Sequence, residues 1–224
     1  MVNEKVNCRM PLFFIRQINA DTLLGCWELQ ESPGELRAQL QALAPPDLLI
    51  PDFSHAGRQQ QWLGGRLLVY TLLQELIPTR PRLMADRGGK PYFDQDSLHL
   101  SISHTRRQVV VIVSRSGPVG IDIEAIHPKV LRVKDKFLAA AEQQAAGEDL
   151  NKTLIYWCTK ETLYKLYGRK HILFKEHLKV QPFNGQHPGD LQASIQLPDF
   201  QKDYRIHYEV GTDFILTYCL DIPG

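Results

Sequence analysis

Gly117-Pro118-Val119-Gly120-Ile121-Asp122-Ile123-Glu124 lies just past the middle of a 224-residue chain, and its reading organises the rest. Gly-Pro interrupts whatever precedes it, and the apolar run that follows predicts a strand over 119–124. Successive side chains on a strand point to opposite faces, so Ile121 and Ile123 share one side and Asp122 and Glu124 the other. Two carboxylates about 7 Å apart on one face repel unless water or a cation separates them. An edge strand with its acids in solvent meets that condition. So does a buried strand whose acids hold a cation.

Downstream of this strand the apolar spacing predicts helices over 130–146 and 150–167, then strands over 175–181, 191–197, 204–210 and 214–220. Upstream it predicts a strand over 12–18 and an apolar segment over 23–29. Leu36, Leu40 and Leu43 define a helix closed by Pro45-Pro46, and a longer helix covers 54–76 before Pro78. Short strands follow over 82–85, 98–103 and 108–114. Each half runs helices into strands, which is α+β order rather than a βαβ alternation. Ser116-Gly117-Pro118 marks the boundary between 1–116 and 117–224.

Composition limits the function classes. Hydrophobic residues make up 43% and charged residues 23%, with 26 Lys+Arg against 25 Asp+Glu, which excludes a disordered chain. The longest apolar runs, such as 109–113, fall far short of the roughly 20 residues that span a bilayer. Glu4, Lys5 and Asn7 leave no apolar core for a signal peptide. The expectation is a cytoplasmic protein with no membrane partner, and the net charge of +1 argues against nucleic acid as a general partner. The charge is unevenly spread: residues 1–57 carry four basic and seven acidic residues, whereas 125–180 carry eleven and six. That second segment offers a basic surface for an acidic partner, or simply a solvated helical face. Cys8, Cys26, Cys158 and Cys219 show neither CxxC pairing nor zinc spacing and read as reduced packing thiols, and the eight histidines form no HExxH.

The predicted helix over 150–167 carries Trp157-Cys158-Thr159-Lys160-Glu161 and then Lys165. At about 100° per residue, Leu154, Trp157, Cys158 and Glu161 form one stripe, with Lys165 one turn beyond Glu161. Ile155, Tyr156, Leu163, Leu166 and Tyr167 form a second apolar face. A helix apolar on two sides packs on two sides, so Glu161 looks inward and needs a partner. Either Lys165 supplies it as an i,i+4 pair, or a divalent cation is shared with Asp122 and Glu124. Three carboxylate oxygens completed by water and phosphate suit Mg²⁺. Upstream, Gly88-Gly89-Lys90-Pro91 places mobile backbone and one cation before a strand. Ser101-Ile102-Ser103-His104 ends the next strand, followed by Arg106 and Arg107. Arg58 and Arg66 lie eight apart on one helix face. Such groups converging at strand ends are suited to phosphate.

Taken in order, these segments resemble the surfactin-type 4′-phosphopantetheinyl transferases. The resemblance rests on the Arg-rich helix ending in Gly65-Arg66, then Gly89-Lys90-Pro91, Ser101–His104, Gly120–Glu124, Lys136-Phe137-Leu138 and Trp157–Lys165. It covers residues from about 58 to 168, and the pairing of Gly120–Glu124 with Trp157–Lys165 is its specific part. The family implies an α+β fold of two similar subdomains, a pseudo-dimer with the active site in the cleft between them. It implies transfer of 4′-phosphopantetheine from coenzyme A to a serine of an acidic acyl or peptidyl carrier protein, and the chain length permits a monomer. Asp122, Glu124 and Glu161 would then hold Mg²⁺, with Glu161 also the base. Lys160 and Lys165 would neutralise phosphate charge, Lys165 favouring departure of adenosine 3′,5′-bisphosphate. Ser103 and His104 match contacts to the 3′-phosphate; Gly89, Lys90 and Pro91 match an adenine-side loop; Arg58 and Arg66 are phosphate candidates. The chain departs from the family at Gly168-Arg169-Lys170-His171-Ile172-Leu173, where a glycine-rich stretch is common. The competing enzyme reading is a Mg²⁺-dependent phosphodiesterase or nuclease. The non-enzyme reading is a coenzyme A- or carrier-binding module without catalysis.

Overall fold

The structure is a computed structural model that describes residues 12–221 apart from 96 and 170. Cys8 and Lys170 therefore lie outside the described residues. The chain divides into two compact units, the division falling between Val119 and Gly120.

The first unit opens with strands β1 (Leu12–Asn19) and β2 (Thr22–Glu28), joined as an antiparallel hairpin. Helix α1 (Pro33–Leu43) begins at a capping box in which Ser32 and Glu35 each accept from the other's backbone N–H. It ends at Ala44, because Pro45 and Pro46 cannot continue the ladder. Helix α2 (Ala56–Leu76) presents Leu63, Leu67, Leu68 and Leu72, all buried. A small hairpin, β3 (Leu83–Ala85) with β4 (Pro91–Phe93), precedes β5 (His99–His104) and β6 (Gln108–Ser114). The main sheet runs β1-β2-β6-β5, antiparallel throughout. Its Val109, Val111 and Val113 join Trp27 and the leucines of α1 and α2 in one core. β-Branched residues at consecutive positions of β6 suit a strand that is fully buried.

The second unit contains β7 (Val119–Ala125), α3 (Ala140–Ala146), α4 (Leu150–Tyr167), the single turn α5 (Phe174–His177), and strands β8 (Leu178–Val180), β9 (Gly189–Leu197), β10 (Phe200–Val210) and β11 (Phe214–Leu220). Its sheet runs β7-β11-β10-β9-β8. Asp149 caps α4 at its N-terminus, and Gly168 ends it in the left-handed conformation that favours glycine. The helix is buried nearly all round, from Thr153 to Leu166, as its two apolar faces require. Among the described residues no helix is long and apolar enough to cross a membrane.

Two expected elements differ. The predicted helix over 130–146 is two 3₁₀ turns, Pro128–Arg132 and Lys134–Lys136, followed by the short α3. The predicted strand over 175–181 is the α5 turn running into a three-residue β8. Both lie where side chains of other elements claim the backbone hydrogen bonds, as described below. Cys26, Cys158 and Cys219 are buried free thiols; burial pushes Cys26 and Cys219 up to about 12 and Cys158 well above its ordinary value.

Candidate active site

The site begins at the glycine of β7. A Cβ on Gly120 would lie 2.5 Å from the carbonyl oxygen of Thr162 and 3.1 Å from Cβ of Leu166, both on α4. Glycine therefore lets this helix pack directly on the strand. Strand alternation puts Asp122 and Glu124 on the same face as Gly120, so both acids meet α4 rather than solvent. Asp122 is 3% exposed and accepts from Lys165 Nζ at 2.6 Å. Glu124 is half-buried and accepts from the Trp157 indole Nε1 at 2.7 Å. The open choice between solvated and buried acids is decided in favour of burial.

Glu161 extends from α4, half-buried, into the same electrostatic environment. Burial, followed by repulsion from Asp122, pushes its carboxyl up to about 7, with Lys165 opposing and Glu124 reinforcing. Glu124 is raised for the same two leading reasons, burial and Asp122. Asp122, Glu124 and Glu161 thus act electrostatically on one another and on Lys165 in a partly dehydrated place. These are hard-oxygen donors, and their chemistry fits a divalent ion such as Mg²⁺. Among the described residues no three His, Cys, Asp or Glu side chains are gathered closely enough to hold a metal ion as they stand. The fit is therefore one of charge and donor type.

Lys160 corrects an expectation. Instead of facing phosphate, its Nζ is wholly buried and donates to Glu142 Oε2 at 2.6 Å, Phe137 O at 2.7 Å and Phe174 O at 3.0 Å. An ammonium has three N–H bonds, and these acceptors use all of them. Glu142 is equally engaged: it accepts from Ala139 N at 2.7 Å and from Val180 N at 2.9 Å. Sequence reading missed Glu142, because a lone acid between Ala141 and Gln143 looks like an exposed helical residue. These bonds also explain the broken helix over 130–146. Glu142 folds back to cap Ala139, and Phe137 O is turned towards Lys160 rather than along a helix axis.

The first unit holds the remaining candidates. Arg58 is exposed on the first turn of α2. Arg66, one helix face further along, is half-buried with its guanidinium 4.4 Å from the centre of the Trp62 ring. Burial pushes it down to about 10. Trp62 and Arg66 line an open groove of about 320 Å³ together with Arg82, Leu83 and Met84, and Arg82 is already paired with Asp47. At the β3–β4 turn, Asp86 Oδ1 accepts from Gly88 N at 2.7 Å and Lys90 N at 2.9 Å, while Gly89 takes a φ of +84°. Burial lowers Lys90, and Pro91 starts β4. On β5, Ser103 is buried and His104 exposed at the strand end. The structure thus pairs Asp122 with Lys165, couples Glu124 and Glu161 to them electrostatically, and turns Lys160 to another task.

Residues 118–219 match the sequence profile of the 4′-phosphopantetheinyl transferase superfamily. A 4′-phosphopantetheinyl transferase of Bacillus pumilus is 32% identical over 172 residues, covering 72% of this chain and 71% of that protein. One from Bacillus subtilis is 28% identical over 181 residues, 76% of this chain and 78% of its own. A third, from Escherichia coli K12, is 30% identical over 122 residues, 50% and 59% respectively.

Proposed function

The chain belongs to the 4′-phosphopantetheinyl transferase superfamily and is a transferase; on that premise we propose that it moves 4′-phosphopantetheine from coenzyme A onto a serine of an apo acyl or peptidyl carrier protein. The serine oxygen bonds to the β-phosphorus, the bond from that phosphorus to the bridging oxygen breaks, and adenosine 3′,5′-bisphosphate leaves with the electron pair. The observation that carries the reading is the group formed by Asp122, Glu124, Glu161 and Lys165.

Glu161 is the proposed base. Its carboxylate lies within electrostatic reach of Asp122 and Lys165 and can take the serine proton, directly or through a bound water, and later release it. Lys165, at 2.6 Å from Asp122, is placed by that pair and lends positive charge to the departing bisphosphate. Asp122, Glu124 and Glu161 would hold Mg²⁺, which when bound neutralises pyrophosphate charge and polarises the phosphoryl oxygens. Arg66 is assigned to a phosphate, since a partly dehydrated guanidinium on a groove wall is suited to an anion. Arg58, Lys90, Ser103 and His104 are assigned to further phosphate contacts, and Gly89 with Pro91 to the adenine side. The basic 125–180 segment supports an acidic carrier surface. The reading is of a cytoplasmic monomer, with no nucleic acid or membrane as partner.

The test is to incubate the protein with coenzyme A, Mg²⁺ and several apo carrier proteins, then weigh the carriers. A gain of one phosphopantetheine group is expected, and Asp122→Ala should abolish it in a folded protein. No gain with any carrier refutes the assignment.

A further inference from the structure

We propose that the buried Lys160–Glu142 pair is a positioning device for Glu124, acting through Phe137, Phe174 and Trp157. The inference builds on the assignment of Glu124 to the site but is read out without turnover. Lys160 Nζ ties together three segments that are distant in sequence: α3 through Glu142, the turn before it through Phe137 O, and the start of α5 through Phe174 O. Glu142 adds β8 by accepting from Val180 N. The two residues whose carbonyls Lys160 holds are the two whose rings enclose Trp157. Phe137 meets the indole edge-on at 4.8 Å between centroids, and Phe174 lies against it at 5.5 Å with a 34° tilt. Trp157 stands three residues before Lys160 on α4, and hence on the same face. The indole so held donates to Glu124 Oε1 at 2.7 Å.

The ion pair is poorly explained by stability alone, because apolar side chains of similar volume commonly hold a buried site as well as an ion pair does. What an apolar pair cannot do is fix two carbonyls in direction. Three N–H bonds at tetrahedral angles do so, and the ring positions follow from the backbone. A carboxylate at a reacting centre needs this, since small misplacements there are costly.

The test labels the tryptophan indoles with ¹⁵N and assigns the Trp157 resonance with Trp157→Phe. Glu124→Ala gives the position of an indole that has lost its acceptor. Lys160→Met with Glu142→Gln removes both charges and keeps an acceptor at residue 142, so the fold should survive. Its Trp157 signal should move towards the Glu124→Ala position, and turnover should fall by about 10–100-fold while the KM for coenzyme A holds. A folded double variant with an unmoved indole signal overturns the proposal. If that variant does not fold, Glu142→Gln alone decides, because it removes the charge facing Lys160 Nζ, keeps an acceptor there and leaves the rings around Trp157 in place. An unmoved indole signal there also overturns the proposal. If no carrier is ever modified but the indole moves as described, the positioning stands and the transferase assignment fails.

Discussion

Replacing Glu161 by Gln should stabilise the protein, and by an amount that depends on pH. The folded-state carboxyl is raised from 4.5 to about 7, chiefly by burial and by Asp122. Below 4.5 the folded and unfolded chains both hold the proton, and the residue makes no difference. As pH rises from there, the unfolded chain releases its proton while the folded chain keeps it, so stability falls until about pH 7 and then levels off. At about 1.4 kcal/mol per unit the full shift corresponds to about 3 kcal/mol, and solvent screening of a half-buried group reduces this to about 1–2 kcal/mol. Gln is nearly isosteric and carries no charge, so it should recover that amount at about pH 8 and nothing at about pH 4. Urea unfolding followed by circular dichroism, with a chelator present, measures both. Magnesium added to the native protein should remove most of the difference, because a cation among the three carboxylates relieves the same repulsion. A variant that is less stable than the native chain at the higher pH, or a difference that ignores pH, refutes the reasoning.

Gly120→Ala should lower stability by about 1–3 kcal/mol, since its Cβ would press on the backbone of α4 at Thr162 and one element must shift. Thermal unfolding measures the loss, and an unchanged melting temperature would mean that strand and helix are not packed this closely. Arg66→Ala should raise the KM for coenzyme A by about 10-fold or more, the worth of one charge-assisted contact, with kcat little altered. An unchanged KM removes Arg66 from the phosphate contacts.

What the sequence made legible and what it hid follow one physical division. Elements set by local pattern appear where expected: β6 and β11 by their apolar runs, and α4 by its two apolar faces. The acids of β7 were placed on one face by alternation, though alternation does not reveal what covers that face. That depended on Gly120, whose missing side chain is informative only once α4 is seen against it. Lys160 and Lys165 are both lysines on one helix and look interchangeable as charges. Their fates differ because Glu142, Phe137 and Phe174 converge on one and Asp122 on the other, by contacts spanning 14 to 43 residues. The same long-range bonds broke the helix expected over 130–146, where spacing alone favoured continuity.

The buried thiols bear on the chemistry of the proposed co-substrate, which ends in a thiol of its own. Disulfide exchange needs a thiolate that can be reached, and Cys26, Cys158 and Cys219 offer neither accessibility nor ready ionisation. These three cysteines can therefore meet free or oxidised coenzyme A without becoming joined to it.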